Sequence, residues 1–107
     1  MTTFYKNAAV DLTTTNVTVV YTAPAAKTAI FKSILVSNDS GSATTITLSL
    51  TNAATAVFSL YKLEEVGALS TRELLEQPLV LETAEILKAQ AATAGRLHVV
   101  ASYMEIT

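Results

Sequence analysis

The sequence predicts an all-β fold, an antiparallel β-sandwich of jelly-roll type with about seven or eight strands, and three observations carry that expectation. Thr44 to Thr51 sets Ile46, Leu48 and Leu50 against Thr45, Thr47, Ser49 and Thr51 at the period of two that a half-buried strand requires. Short runs rich in β-branched and aromatic residues recur between turn-forming residues. The polar surface is supplied largely by Thr and Ser, since 50% of residues are hydrophobic and only 15% charged. Thr suits the open face of a pleated strand better than a helix surface.

The elements follow in chain order. Asn16 to Thr22 reads as a strand closed by Ala23-Pro24-Ala25. Thr28 to Ser37 reads as a second, with Ile30, Phe31, Ile34, Leu35 and Val36 making it apolar on both faces. Asn38-Asp39-Ser40-Gly41-Ser42 gathers side-chain oxygens that bond local backbone and a glycine, so this strand and Thr44 to Thr51 are expected to pair as a hairpin. Ala56 to Lys62 gives a later strand.

Between Leu63 and Ala92 two readings compete. Residues 81–91 are good helix formers, but Pro78 interrupts them and the neighbouring strands need partners. Strands are placed near Leu79 to Leu81 and near Glu85 to Ala91, with helix as the alternative, and residues 71–77 are left open between the two. The last stretch, Arg96 to Ile106, puts Leu97, Val99, Ala101 and Tyr103 on one face. Val100, Met104 and Ile106 lie on the other, beside Arg96, His98 and Ser102. A strand apolar on both sides asks to be covered by another sheet or a subunit. The chain, 107 residues long, is read as one domain over residues 1–107 with a short N-terminal arm carrying Phe4 and Tyr5. Phe31 and Phe58 are expected in the core, while Tyr5 and Tyr103 suit core or interface equally.

Chemistry is sparse. His98 is the single histidine and there is no cysteine, so the ligand sets of zinc sites and the thiolate of cysteine enzymes are missing. Glu64-Glu65, and Glu73 with Glu76, are the available carboxylate pairs, and both read as solvated loop faces. Gly41, Gly67 and Gly95 lie too far apart for a phosphate-binding loop. The seven Lys and Arg residues are scattered and the formal net charge is -2, which argues against direct nucleic-acid binding. No apolar run reaches the length of a membrane span, and Met1 to Lys6 lacks the order of a secretion signal. Asn16-Val17-Thr18 and Asn38-Asp39-Ser40 match the glycosylation sequon, and without a signal peptide the match is read as coincidence. The chain is therefore expected to be non-enzymatic, without cofactor or metal, and made in the cytoplasm.

The run from Val19 to Ile30, with Tyr21-Thr22-Ala23-Pro24 at its centre, and then Ser33 to Asn38, resembles small virion structural proteins of tailed bacteriophages. Gln77-Pro78-Leu79-Val80-Leu81-Glu82 and Lys88-Ala89-Gln90-Ala91-Ala92 extend the similarity over most of the chain. The chain departs from that group at Thr83-Ala84, where many similar proteins have a glycine after the Leu-Glu-like pair. The resemblance implies a β-sandwich used in the virion as capsid decoration or cement, or as a neck or tail component. The leading expectation is a decoration protein that covers junctions of the major capsid protein and associates with itself, with a trimer as first guess. Phe4, Tyr5, Val100, Met104 and Ile106 are its expected assembly residues. A tail-fibre-type module binding a receptor or carbohydrate is the alternative, weakened by the absence of Trp.

Overall fold

A computed structural model describes residues 2–107. Among them are nine strands, β1 (Thr3–Leu12), β2 (Thr18–Thr22), β3 (Thr28–Asn38), β4 (Thr44–Thr51), β5 (Val57–Val66), β6 (Ser70–Glu73), β7 (Leu79–Leu81), β8 (Ile86–Ala91) and β9 (Leu97–Ile106), and no helix. One sheet runs β1-β9-β3, with β6 and β7 both on the far side of β3, and the other runs β2-β8-β4-β5. They are called here the β9 sheet and the β8 sheet.

β6 pairs Leu35 to Asn38 and β7 pairs Ala29 to Phe31, so together they occupy one strand position. The break falls just before Pro78, which has no N–H to give to a ladder. Counted that way, eight strand positions form two four-membered sheets whose successive strands mostly cross between them, which is the jelly-roll order. All pairings are antiparallel. The sheets close on one core that includes Leu12, Phe31, Ile34, Val36, Ile46, Leu48, Leu87, Leu97 and Val99, all fully buried.

The expected hairpin of β3 and β4 does not form, because the two strands belong to opposite sheets. The turn residues build a corner instead. Asn38 is buried, and its amide nitrogen donates to the carbonyls of Ser42 at 2.8 Å and Val66 at 3.2 Å. Its side-chain oxygen accepts from the Ser40 N–H and the Ser40 hydroxyl. Every polar valence of Asn38 is used in tying β3, β4 and the end of β5, so the sequon at this residue has no free nitrogen for a glycan. The hairpin joins β4 to β5 through 52–56, where the Asn52 side chain accepts the N–H groups of Ala54 and Ala56.

Three further expectations need correcting. The N-terminal segment is not an arm: residues 3–12 pair with β9 along its whole length, because β9 would otherwise present an unpaired edge. Phe58 is not core; it lies on the edge strand β5 and is 53% exposed. Glu73 is exposed, as expected, but it ends strand β6 instead of lying in a loop. Its carboxylate accepts the N–H of buried Ile34 at 2.7 Å and the hydroxyl of Ser33, filling the gap in the ladder where β6 ends. Residues 86–91 are strand despite their helix propensity, with Leu87, Ala89 and Ala91 inward and Lys88 and Gln90 outward. Arg72 closes the open side of the sandwich, donating to the Glu64 carboxylate and the Glu65 carbonyl of β5, each at 2.8 Å.

Thr55 in the β4–β5 hairpin and Ala84 in the turn before β8 take left-handed backbone conformations, at φ 67° and 69°. A Cβ in that region costs roughly 1 kcal/mol, more for a β-branched residue. Thr55→Gly is expected to stabilise the fold by about 1 kcal/mol, raising Tm by about 4 °C, and Ala84→Gly by somewhat less. Thermal unfolding followed by circular dichroism checks this; an unchanged or lower Tm contradicts it.

Candidate assembly interface

The pairing of β1 and β3 with β9 arranges the outer face of the β9 sheet in rows. From one end these are Thr3-Ile106-Thr28, Tyr5-Met104-Ile30, Asn7-Ser102-Ser33, Ala9-Val100-Leu35 and Asp11-His98-Ser37. Val80 of β7 extends the second row beyond Ile30. Alternation along β9 places these side chains opposite Leu97, Val99, Ala101 and Tyr103, which are buried. Tyr5 is 83% exposed, Val80 48%, Leu35 40% and Val100 39%; Met104, Ile106 and Ile30 are half-buried among them. Four of the five expected assembly residues, Tyr5, Val100, Met104 and Ile106, thus share one face.

The fifth does not. Phe4 stands opposite Glu105, on the inward side of β1, where the Lys6 ammonium lies 5.7 Å from its ring centroid. It belongs to a different site, one that sequence reasoning missed. Glu105 continues the buried face of β9 two residues beyond Tyr103 and is itself buried. One carboxylate oxygen accepts Lys6 of β1 at 2.8 Å, and the other accepts the Tyr21 hydroxyl of β2 at 2.6 Å. Lys27 lies 3.7 Å away. Tyr21, Phe31 and Tyr103 pack against one another with ring centroids 4.6–5.3 Å apart. The signal in the sequence was a glutamate in phase with four core residues.

The electrostatics follow from that geometry. The Lys6 hydrogen bond, and then that of Tyr21, hold the Glu105 carboxyl below its ordinary value. Burial first, and then the bond to Glu105, raise the Tyr21 phenol. Burial and the neighbouring carboxylate raise Tyr103, and the bond to Glu105 raises Lys6. Both oxygens of Glu105 are spoken for, so the group works as a tie between β1, β2 and β9 rather than as an acid or base awaiting a substrate.

His98 closes the outer face at one end, with Nε2 3.4 Å from Asp11 and Nδ1 3.9 Å from Asp39. Ser37 shares its row, but among the described residues no hydrogen bond joins Ser37 to His98, and the row lies on an open sheet face. Midway along the face, an open groove is lined by Tyr5, Asn7, Lys32 and Ser102. Lys32 is the extra residue of a β-bulge between Phe31 and Ser33.

A charge-assisted bond to a buried carboxylate contributes about 2 kcal/mol. Glu105→Gln is therefore expected to lower stability by about that much at pH 7, measured by urea unfolding. Because the folded state holds Glu105 below its usual 4.5, this contribution is complete above that pH and is lost as pH falls through the lower, folded value. The wild-type Tm should thus fall more steeply than that of Glu105→Gln on acidification, and parallel curves would contradict the assignment.

The sequence matches no protein-family description and no curated protein. The fold is similar to a solved structure from the disulfide-linked pili of Bacillus endospore appendages, with a TM-score of 0.58 over 99% of this chain and 88% of that one. At 10% sequence identity the likeness establishes a shared fold, an all-β sandwich of two antiparallel sheets.

Proposed function

We propose that this chain is a structural subunit of a bacteriophage particle, a decoration or cement protein that strengthens a protein shell by covering junctions between its subunits. The observation that carries the reading is the outer face of the β9 sheet. It presents Tyr5, Ile30, Leu35, Val80, Val100, Met104 and Ile106 over three adjacent strands and β7, with His98 and the two aspartates at one end and Lys32 midway along it. An apolar face rimmed by polar groups is the usual form of a protein–protein contact. The resemblance to virion proteins over residues 19–30, 33–38, 77–82 and 88–92 supplies the setting.

The mechanism is mechanical. Each copy removes apolar area from water at about 25 cal/mol per Å², part of which is offset by the cost of fixing the copy in place. Repetition over many equivalent positions makes a modest gain per copy effective. A low-charge surface rich in Thr and Ser suits this work, since covering a hydroxyl that finds a partner costs far less than covering an unpaired charge. A second line of exposed apolar side chains, Val57, Phe58, Leu63 and Leu69, follows β5 and the loop after it, so one copy can meet neighbours on two sides. With no cysteine in the sequence, such contacts are made without disulfides, unlike the linkage named for the pilus neighbour.

Val100→Asp and Met104→Asp are expected to leave Tm within about 4 °C of wild type, because the side chains are not core. Both should abolish incorporation into particles, measured by co-sedimentation and gel quantification. A variant that incorporates normally would remove the β9 sheet face from the assembly role.

A further inference from the structure

Resting on the assembly reading above, we infer that two copies of this chain associate face to face through the outer face of the β9 sheet, with Lys32 of each meeting Asp39 of the other. Ala9, Val100 and Leu35 form a central apolar row. Two residues to one side along β9 lies the row Asn7-Ser102-Ser33, and two residues to the other lies Asp11-His98-Ser37. Lys32, thrown out of register by the bulge, stands at the first of these. Asp39, two residues past Ser37, lies just beyond the second, its side chain 66% exposed and 3.9 Å from the His98 ring. Charges of opposite sign thus flank the apolar row, three residues before Leu35 and four after it, both carried by β3 or the residue after it.

A two-fold axis in the plane of the sheet, perpendicular to the strands and passing through the Val100 row, lays one copy's positive row over the other's negative row. β3 then lies over β3, so the Lys32–Asp39 contact forms twice, and the same operation sets Asn7 against the partner's Asp11. Such an interface is self-complementary and closed. The apolar row pairs with itself at the centre, where water is excluded, while the charges sit towards the rim, where they fix orientation. With the axis on the Val100 row the copies overlap over the three rows from Asn7 to Asp11, and four strand positions at about 4.8 Å by about 20 Å of strand give roughly 400 Å² a side, the size of a small, reversible contact. The row Tyr5-Met104-Ile30-Val80 lies beyond the overlap and stays free to meet a shell.

Sedimentation equilibrium of the intact chain tests this, with circular dichroism as the check on folding. Wild type should dimerise, and Lys32→Asp and Asp39→Lys should each weaken the dimer by about ten-fold or more. The double variant, in which opposite charges again face each other, should return to within about three-fold of wild type. If Val100→Asp separates the copies while the charge variants change nothing, or the double variant is as weak as the singles, the two-fold pairing is overturned and the assembly reading stands. A monomeric wild type that still joins its particle overturns the pairing alone. A chain that neither dimerises nor joins a particle overturns both.

Discussion

β9 is paired along its whole length on both sides, with β1 and with β3, and the rest of the molecule is organised around that double ladder. Its inward side chains, Leu97, Val99, Ala101 and Tyr103, form part of the core shared with the β8 sheet. Its outward ones, Val100, Met104 and Ile106, cannot reach that core, because alternate residues of a pleated strand point to opposite faces. Any sequence apolar at both parities in a central strand of a two-layer sandwich must therefore leave one apolar set against water. The face proposed for assembly is the direct consequence of that geometry.

Polar ties supply what a small core does not. Glu105 fixes the end of the β9 ladder to β2 through Tyr21 and to the edge strand β1 through Lys6. Asn38 turns the chain from one sheet to the other, Glu73 fills the broken ladder beside β3, and Arg72 joins β6 to β5 across the open side. Each satisfies a backbone or buried group that would otherwise be left unpaired, which is the more expensive outcome inside a protein. These ties hold the rows of the outer face in register, so the display of Tyr5, Val100 and Met104 depends on residues that never touch it.

Much of this was legible in the sequence wherever one face of a strand is buried and the other is not. The alternation in Thr44 to Thr51 and in Arg96 to Ile106 gave strand and parity together, with ends within a residue of those observed, except that Thr51 is buried after β4 shifts register against β5. β1 was not legible because Lys6-Asn7-Ala8-Ala9 has no strand propensity of its own and is extended only because β9 offers an edge. The β3–β4 corner was mistaken for a hairpin because the same turn residues serve both, and only the choice of sheet, a long-range matter, separates them. Phe58 was mistaken for core because hydrophobicity does not reveal that its strand lies at an edge. Glu105 could have been found by asking which charged residue keeps step with the core.

A protein of this kind works by where it sits, so the account's central claim concerns the covering of one face. Hydroxyl-radical footprinting of the chain, free and in its particle, tests it most directly, with Val19 of β2, 49% exposed, as a reference on the other sheet. The account predicts that Tyr5, Val100 and Met104 react readily at low concentration, where copies are separate, and become several-fold protected in the particle. Equal reactivity of these residues in the two states would contradict it.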